Sequence, residues 1–126
     1  MLYQELDVFK QSVQLASDLH KATLQFPSRG GPALAGQIQR ASVSIPSNIA
    51  EGAMRNSSKE FIQFVAIARG SCAELLTLLA ICDGVGYLAE ASDFENRVQR
   101  IRQMLTALQN SLRAKLPPTK AAKSKA

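Results

Sequence analysis

Apolar residues recur along most of the chain at spacings of three and four, which is the pattern of one face of an α-helix. Residues 4–25, 33–54, 59–85 and 92–115 each carry such a stripe. The fourth stripe repeats at heptad spacing, with Phe94, Val98, Ile101, Leu105, Leu108 and Leu112. Four such helices joined by short connections predict an all-α, antiparallel up-down-up-down four-helix bundle.

Short polar segments mark the helix ends. Residues 27–32 combine two prolines with two glycines and predict a loop. Ser57 and Glu60 form a capping box at the start of the third helix. Ser92 or Asp93 is the predicted N-cap of the fourth helix.

Proline also appears inside a helical pattern. Pro46 lies within the second helix, where it removes a backbone hydrogen bond and crowds the preceding turn. Because the apolar spacing continues through Ile49, we expect a kink near Pro46 rather than a helix end. A proline pair stops the fourth helix, which predicts a bundle over residues 1–116 and a disordered Lys-rich tail over residues 117–126.

The first helix carries a wider apolar face than one bundle core requires. Its two neighbouring stripes contain, respectively, Leu6, Phe9 and Val13, and Val8, Leu15 and Leu19. The extra surface indicates either a contact with another subunit or a deeply packed helix, and the pattern leaves both open.

The chain of 126 residues is 46% hydrophobic and 20% charged, which suits one globular domain with its own core. Cys72 and Cys82 lie on one predicted helix, roughly 15 Å apart, too far for a disulfide. We expect two buried, unreactive thiols. With no signal-peptide pattern and no apolar run of about 20 residues, we expect a cytoplasmic protein without membrane contact.

Catalytic and metal-binding patterns are not found in the sequence. His20 is the single histidine, and we expect it to be partly buried and hydrogen-bonded. No Glu-x-x-His motif, zinc spacing or phosphate-binding glycine loop occurs. We therefore predict no enzyme activity, no metal and no cofactor.

Positive charge is concentrated at the C-terminal end. The net charge is +5, yet the first 96 residues hold seven basic and ten acidic residues, a net of −3. The remaining thirty hold eight basic residues and no acid. These are the candidate phosphate contacts for RNA or DNA: Arg97, Arg100, Arg102, Arg113, Lys115, Lys120, Lys123 and Lys125.

The alternative is structural. The arginines of the fourth helix would then pair with acids on a neighbouring helix, such as Glu5, Asp7 or Asp18. The lysines of the tail would be merely solvated. No aromatic residue is interleaved with the basic ones for base stacking.

Residues 37–52 read Gln-Ile-Gln-Arg-Ala-Ser-Val-Ser-Ile-Pro-Ser-Asn-Ile-Ala-Glu-Gly. This run resembles the signature of the 23S rRNA intervening-sequence proteins, also called the four helix bundle protein family. Residues 60–64 and 66–75 resemble its second signature. The similarity extends over roughly residues 3 to 113.

The resemblance implies a four-helix bundle that assembles into a ring-like homopentamer. Some relatives are encoded within large-subunit rRNA genes, and others are accessory proteins of diversity-generating retroelements that bind nucleic acid and a reverse transcriptase. A shared fold does not fix an activity, so the resemblance leaves two expected functions. One is a non-enzymatic oligomer that binds nucleic acid, with RNA as the favoured type. The other is a homo-oligomeric adaptor with a protein partner.

The polar residues of the signature also follow a helical pattern. Five recur at steps of three or four on one face of the second helix: Arg40, Ser44, Asn48, Glu51 and Arg55. Two more, Ser71 and Glu74, lie on the third helix. We expect a buried polar network around Pro46, with a Glu51–Arg55 pair. Gly52 and Gly70 would allow close helix approach. A ligand or partner site, or an enzyme site at this cluster, is the alternative.

Overall fold

The computed structural model describes residues 2–118, which form four long helices. In chain order they are α1 (Asp7–Thr23), α2 (Gly31–Ala53), α3 (Ser58–Val85) and α4 (Ala91–Arg113). Helix α3 packs against both α2 and α4, and α1 closes the bundle by packing against α2 and, less extensively, α4. No strand occurs among these residues. The predicted all-α four-helix bundle is therefore confirmed.

The core is built from the apolar stripes that the spacing predicts. Every helix contributes large side chains that are almost completely shielded from solvent, among them Leu15, Leu19, Ile38, Ile45, Ile49, Leu75, Leu79, Val98, Ile101 and Leu105. Full burial of one such side chain stabilises a fold by about 1.5–3 kcal/mol. The core thus forms without a disulfide, as both cysteines are free.

A side-chain cap marks the start of α3, whereas α4 begins without one. The Ser57 hydroxyl accepts a hydrogen bond from the Glu60 amide at 3.2 Å, so the predicted cap of α3 is confirmed. The prediction for α4 is wrong, because the helix begins at Ala91 and its flanking residue is Glu90. Ser92 and Asp93 consequently lie inside its first turn. No side chain caps α4; the Phe94 amide bonds the Glu90 carbonyl at 3.2 Å instead.

The N-terminal segment differs from a single continuous helix. A short 3-10 helix spans Tyr3–Glu5, and Leu6 is extended (φ −67°, ψ 129°) before α1 begins. The Tyr3 and Phe9 rings meet edge to face, with centroids 5.1 Å apart. This contact holds the short helix against α1 at one end of the bundle.

Helix α2 continues through Pro46, as the apolar spacing predicts. Pro46 is buried, and Ile45 and Ile49 on either side are completely shielded from solvent. The packing of these neighbours offsets the hydrogen bond that proline removes. The kink itself stays a prediction.

The two apolar stripes of α1 have different surroundings. Val8, Leu15 and Leu19 are buried, whereas Val13 remains exposed on the outer side of the helix. Larger exposed apolar side chains lie on α3, where Ile67 is 53% and Ile81 is 47% exposed. Helix α3 therefore carries part of the spare apolar surface, while the more exposed Leu24 and Met54 lie just beyond the ends of α1 and α2.

Helix α3 is also long and apolar enough, by length and composition, to cross a membrane. An 18-residue window of it has a mean hydropathy of 1.7, and 39% of that window is buried inside the bundle. A central helix needs this composition, because it packs against neighbours on two sides.

Both cysteine thiols are buried, as predicted. Desolvation raises the pKa of the Cys72 thiol to about 11, against smaller opposing effects of Arg102 and Arg69, and it also raises that of Cys82. A raised pKa favours the neutral thiol in the folded state.

We expect both thiols to react with a disulfide reagent at pH 8 only as fast as the protein unfolds. The free energy of unfolding should fall as the pH rises from 9 to 11, since the pKa of an unfolded thiol is 9.0 and that of folded Cys72 is about 11. Reagent kinetics and urea unfolding at several pH values measure both effects. Rapid modification of the native protein would contradict the burial of Cys72 and Cys82.

Candidate functional site

A polar groove lies where α4 packs against α1. It has a volume of about 260 Å³ and is lined by Gln11, Gln14, Asn96, Arg97, Arg100 and Ile101. Guanidinium groups suit phosphate oxygens, and amide side chains both donate and accept hydrogen bonds. The groove therefore combines the two kinds of group that contact a nucleic-acid backbone and its base edges.

Arg97 lines this groove, but the contacts that hold its guanidinium lie beside the groove. Its Nη2 lies 2.9 Å from the Asp18 carboxylate, and its guanidinium stands over the Phe94 ring at 5.6 Å. Desolvation acts to raise the pKa of Asp18, but hydrogen bonds from Gln14 and Arg97 and the charge of Arg97 together lower it. The expected pairing with an acid of a neighbouring helix is thus confirmed for Arg97, whose charge is partly neutralised.

The other basic residues of α4 point in different directions. Arg100 is exposed and lines the same groove as Arg97. Arg102 is half-buried, and its Nε donates to Gln99 at 2.9 Å. Arg113 is exposed and donates to Asn110 at 3.5 Å. Only Arg97 and Arg100 are therefore brought together.

Further candidates lie beyond α4. Lys115 is exposed at the end of the bundle, where it lines a separate cavity. Lys120, Lys123 and Lys125 fall outside the described residues, as does most of the predicted tail.

A buried polar contact joins α3 to α4, and sequence reasoning missed it. Arg69 donates from Nη1 to the Gln109 side chain at 2.7 Å, and Gln109 donates to the Ile62 carbonyl at 3.2 Å. Gln109 is only 2% exposed. The sequence signal for this buried contact is the place of Gln109 between Leu105 and Leu112, within the apolar seam of α4. Such a network specifies one register between two helices.

Part of the predicted signature network is present between α2 and α3. The hydroxyls of Ser44 and Ser71 lie 2.7 Å apart. The Asn48 amide nitrogen donates to the Ser44 carbonyl at 2.8 Å and to its hydroxyl at 3.0 Å. These three side chains link the helices one turn from Pro46 in a partly buried position.

The charged members of the signature do not join that network. Glu51, Glu74 and Arg40 are exposed. Arg55 stands over the Phe64 ring at 4.8 Å, and among residues 2–118 no ion pair links it to Glu51. The predicted Glu51–Arg55 pair is wrong, because α2 ends at Ala53 and Arg55, beyond the helix, stacks on an aromatic face instead.

The two signature glycines have different roles. A Cβ on Gly52 would stand 2.7 Å from Phe64 Cβ and 2.8 Å from Phe61 Cδ1, so α2 and α3 approach closely there. A Cβ on Gly70 would meet nothing within 4 Å. The expectation of close approach is confirmed for Gly52 and wrong for Gly70, which faces solvent.

His20 is exposed, so the expectation that it is partly buried is wrong. Within the part of the chain that the structure describes, no three His, Cys, Asp or Glu side chains cluster as metal ligands would.

Residues 4–107 match the sequence model described as 23S rRNA-intervening sequence protein. The chain belongs to this family. The match confirms the resemblance seen in residues 37–52, and no curated protein matches the sequence. The matched segment includes Arg97, Arg100 and Arg102. Arg113 and Lys115 lie beyond it.

Proposed function

We propose that this protein is a non-enzymatic oligomer that binds RNA through basic surfaces of α4 and the following tail. The observation that carries the proposal is the groove in which Arg97 and Arg100 lie beside three amide side chains. The family description refers to 23S rRNA, which makes RNA the first nucleic acid to test. DNA is the second.

The distribution of charge supports phosphate contacts. The eight basic residues from Arg97 onward are accompanied by no acid in the sequence, whereas the preceding 96 residues are net negative. A surface of this kind binds a phosphate backbone with weak sequence preference and strong salt dependence. The test is binding of RNA and of DNA over a salt series. A protein that binds neither at low salt contradicts the proposal and favours the adaptor with a protein partner, such as a reverse transcriptase.

Oligomerisation is part of the proposal, and the family resemblance suggests a homopentamer. Ile67 and Ile81 lie two heptads apart on α3, so they share one exposed face. Burial of this face against a second copy would remove apolar surface from water. Several weak RNA-binding grooves in one assembly would also bind with greater avidity than one groove.

We expect Ile67→Glu with Ile81→Glu to lower the molar mass measured by light scattering, because the two carboxylates would have to be desolvated in the interface. The control is Val13→Glu, which places one such charge on the exposed apolar side of α1, and it is compared with each single Ile→Glu variant of α3. Loss of assembly in the control alone would instead assign the contact to α1.

Asp18→Asn separates a structural role of Arg97 from a role in binding. We expect RNA affinity at low salt to rise about threefold, because the substitution removes an anion beside the groove and releases Arg97. Stability should change by less than about 1 kcal/mol, since both partners are partly exposed. Fluorescence anisotropy and urea unfolding measure the two effects.

The control is Asp83→Asn, which makes the same charge change at an exposed position near the end of α3. Unchanged affinity in Asp18→Asn would indicate that Arg97 only joins α4 to α1.

A further inference from the structure

One end of the bundle contains a cavity of about 750 Å³. The N-terminal segment, the end of α2, the start of α3 and the end of α4 surround it. Its apolar lining includes Leu6, Met54, Phe61, Leu108 and Leu112. This volume is within the range of about 300–1,000 Å³ that is typical of small-molecule sites.

The chain leaves apolar surface open to water at this cavity. Met54 is 74% exposed and Leu2 is 67% exposed, and both belong to the lining. Leu112 is buried, while Phe61 and Leu108 are half-buried. Apolar side chains that converge on an open cavity are better shielded when a ligand fills it.

The polar groups of the lining define the chemistry of that ligand. Within the described part of the chain, Lys115 is the single charged residue of the lining, and no carboxylate accompanies it there. Tyr3, Gln4 and Ser111 supply neutral polar groups. Since Lys115 is exposed, a charged head group bound to it would remain in water while an apolar chain entered the cavity.

We propose that this cavity binds one monomeric, single-chain amphiphile with an anionic head, such as a long-chain carboxylate. The chain packs against Leu6, Phe61, Leu108 and Leu112, and the head pairs with Lys115. The cavity shares no lining residue with the groove between α1 and α4, so its occupancy can be tested separately from the Arg97 and Arg100 contacts. Lys115 alone belongs both to this cavity and to the basic residues proposed for RNA.

The test uses the full chain with 13C-labelled methionine methyl groups and dodecanoate below its micelle concentration. Met54 lines the cavity, whereas Met104 lies on α4 outside it and serves as an internal control. We expect a saturable shift of the Met54 resonance and an unchanged Met104 resonance. Dodecanol, which has the same chain without the charge, should bind about fivefold more weakly.

Two lysine variants test the head-group contact. Lys115→Gln should weaken dodecanoate binding to the level of dodecanol. Lys10→Gln, which removes an exposed charge on α1 outside the cavity, should leave it unchanged.

Three outcomes overturn the proposal: no Met54 shift, equal shifts at Met54 and Met104, or equal binding of dodecanoate and dodecanol. A protein that floats with anionic vesicles but ignores monomeric dodecanoate would also overturn it, since the occupant would then be a membrane surface.

Discussion

Replacement of Arg97 and Arg100 by glutamine is expected to weaken RNA binding about tenfold at low salt. Among residues 2–118, the two arginines are the only basic residues that line the groove between α1 and α4. Each phosphate contact to single-stranded RNA contributes about 0.7 to the slope of log affinity against log salt. Loss of two contacts should therefore reduce that slope by about 1.4. Anisotropy of a labelled single-stranded RNA over a salt series measures both quantities.

The matched control is Arg29→Gln with Lys59→Gln, which removes two charges at exposed positions outside the groove. Arg97 also pairs with Asp18, so its substitution alters helix packing as well as RNA binding. The single variant Arg100→Gln therefore measures the effect on RNA binding without loss of that ion pair. If the control loses as much affinity as the Arg97 and Arg100 variant, binding reflects net charge alone. The groove would then not be the site.

The second large effect concerns stability. Gly52→Ala should lower the free energy of unfolding by about 2 kcal/mol, because overpacking typically costs about 1–3 kcal/mol. The added Cβ would overlap Phe64 Cβ, which the backbone holds in place, as well as the Phe61 ring. Rotation of the Phe61 side chain relieves only the second overlap.

Gly70→Ala is the matched control on α3, where the new methyl group meets no atom within 4 Å. It should raise stability by up to about 1 kcal/mol, since alanine is the better helix former. Urea unfolding of both variants at one protein concentration compares them. If Gly52→Ala is also stabilising, α2 and α3 do not approach as closely as the structure indicates.

The contacts between α2 and α3 give the family signature a physical explanation. Gly52 is required by a close helix contact, and Ser44, Asn48 and Ser71 join α2 to α3 by hydrogen bonds. Glu51 and Glu74, by contrast, are exposed. Part of the signature thus maintains the pair of central helices, and part remains available on the surface.

Several errors of sequence reasoning share one origin. The spacing of Glu51 and Arg55 permits an ion pair on a continuous helix, but α2 ends at Ala53, and the Arg55 guanidinium stands over the Phe64 ring of the next helix. Gly70 looks like a packing glycine, yet it lies on the solvent side of α3. Helix spacing shows which residues share a face of one helix, and it says nothing about what stands opposite them.

The number of helices, their apolar faces and the cap at Ser57 follow from local rules. Apolar residues spaced by three and four, and the Ser57 hydroxyl that accepts from the Glu60 amide, involve only one or two turns of helix. The sequence alone is therefore enough to predict them. Contacts between helices required the tertiary structure. Arg97 with Asp18, Arg69 with Gln109, and the cavity beside Lys115 each join distant segments. Packing of the shared core decides which of those side chains meet.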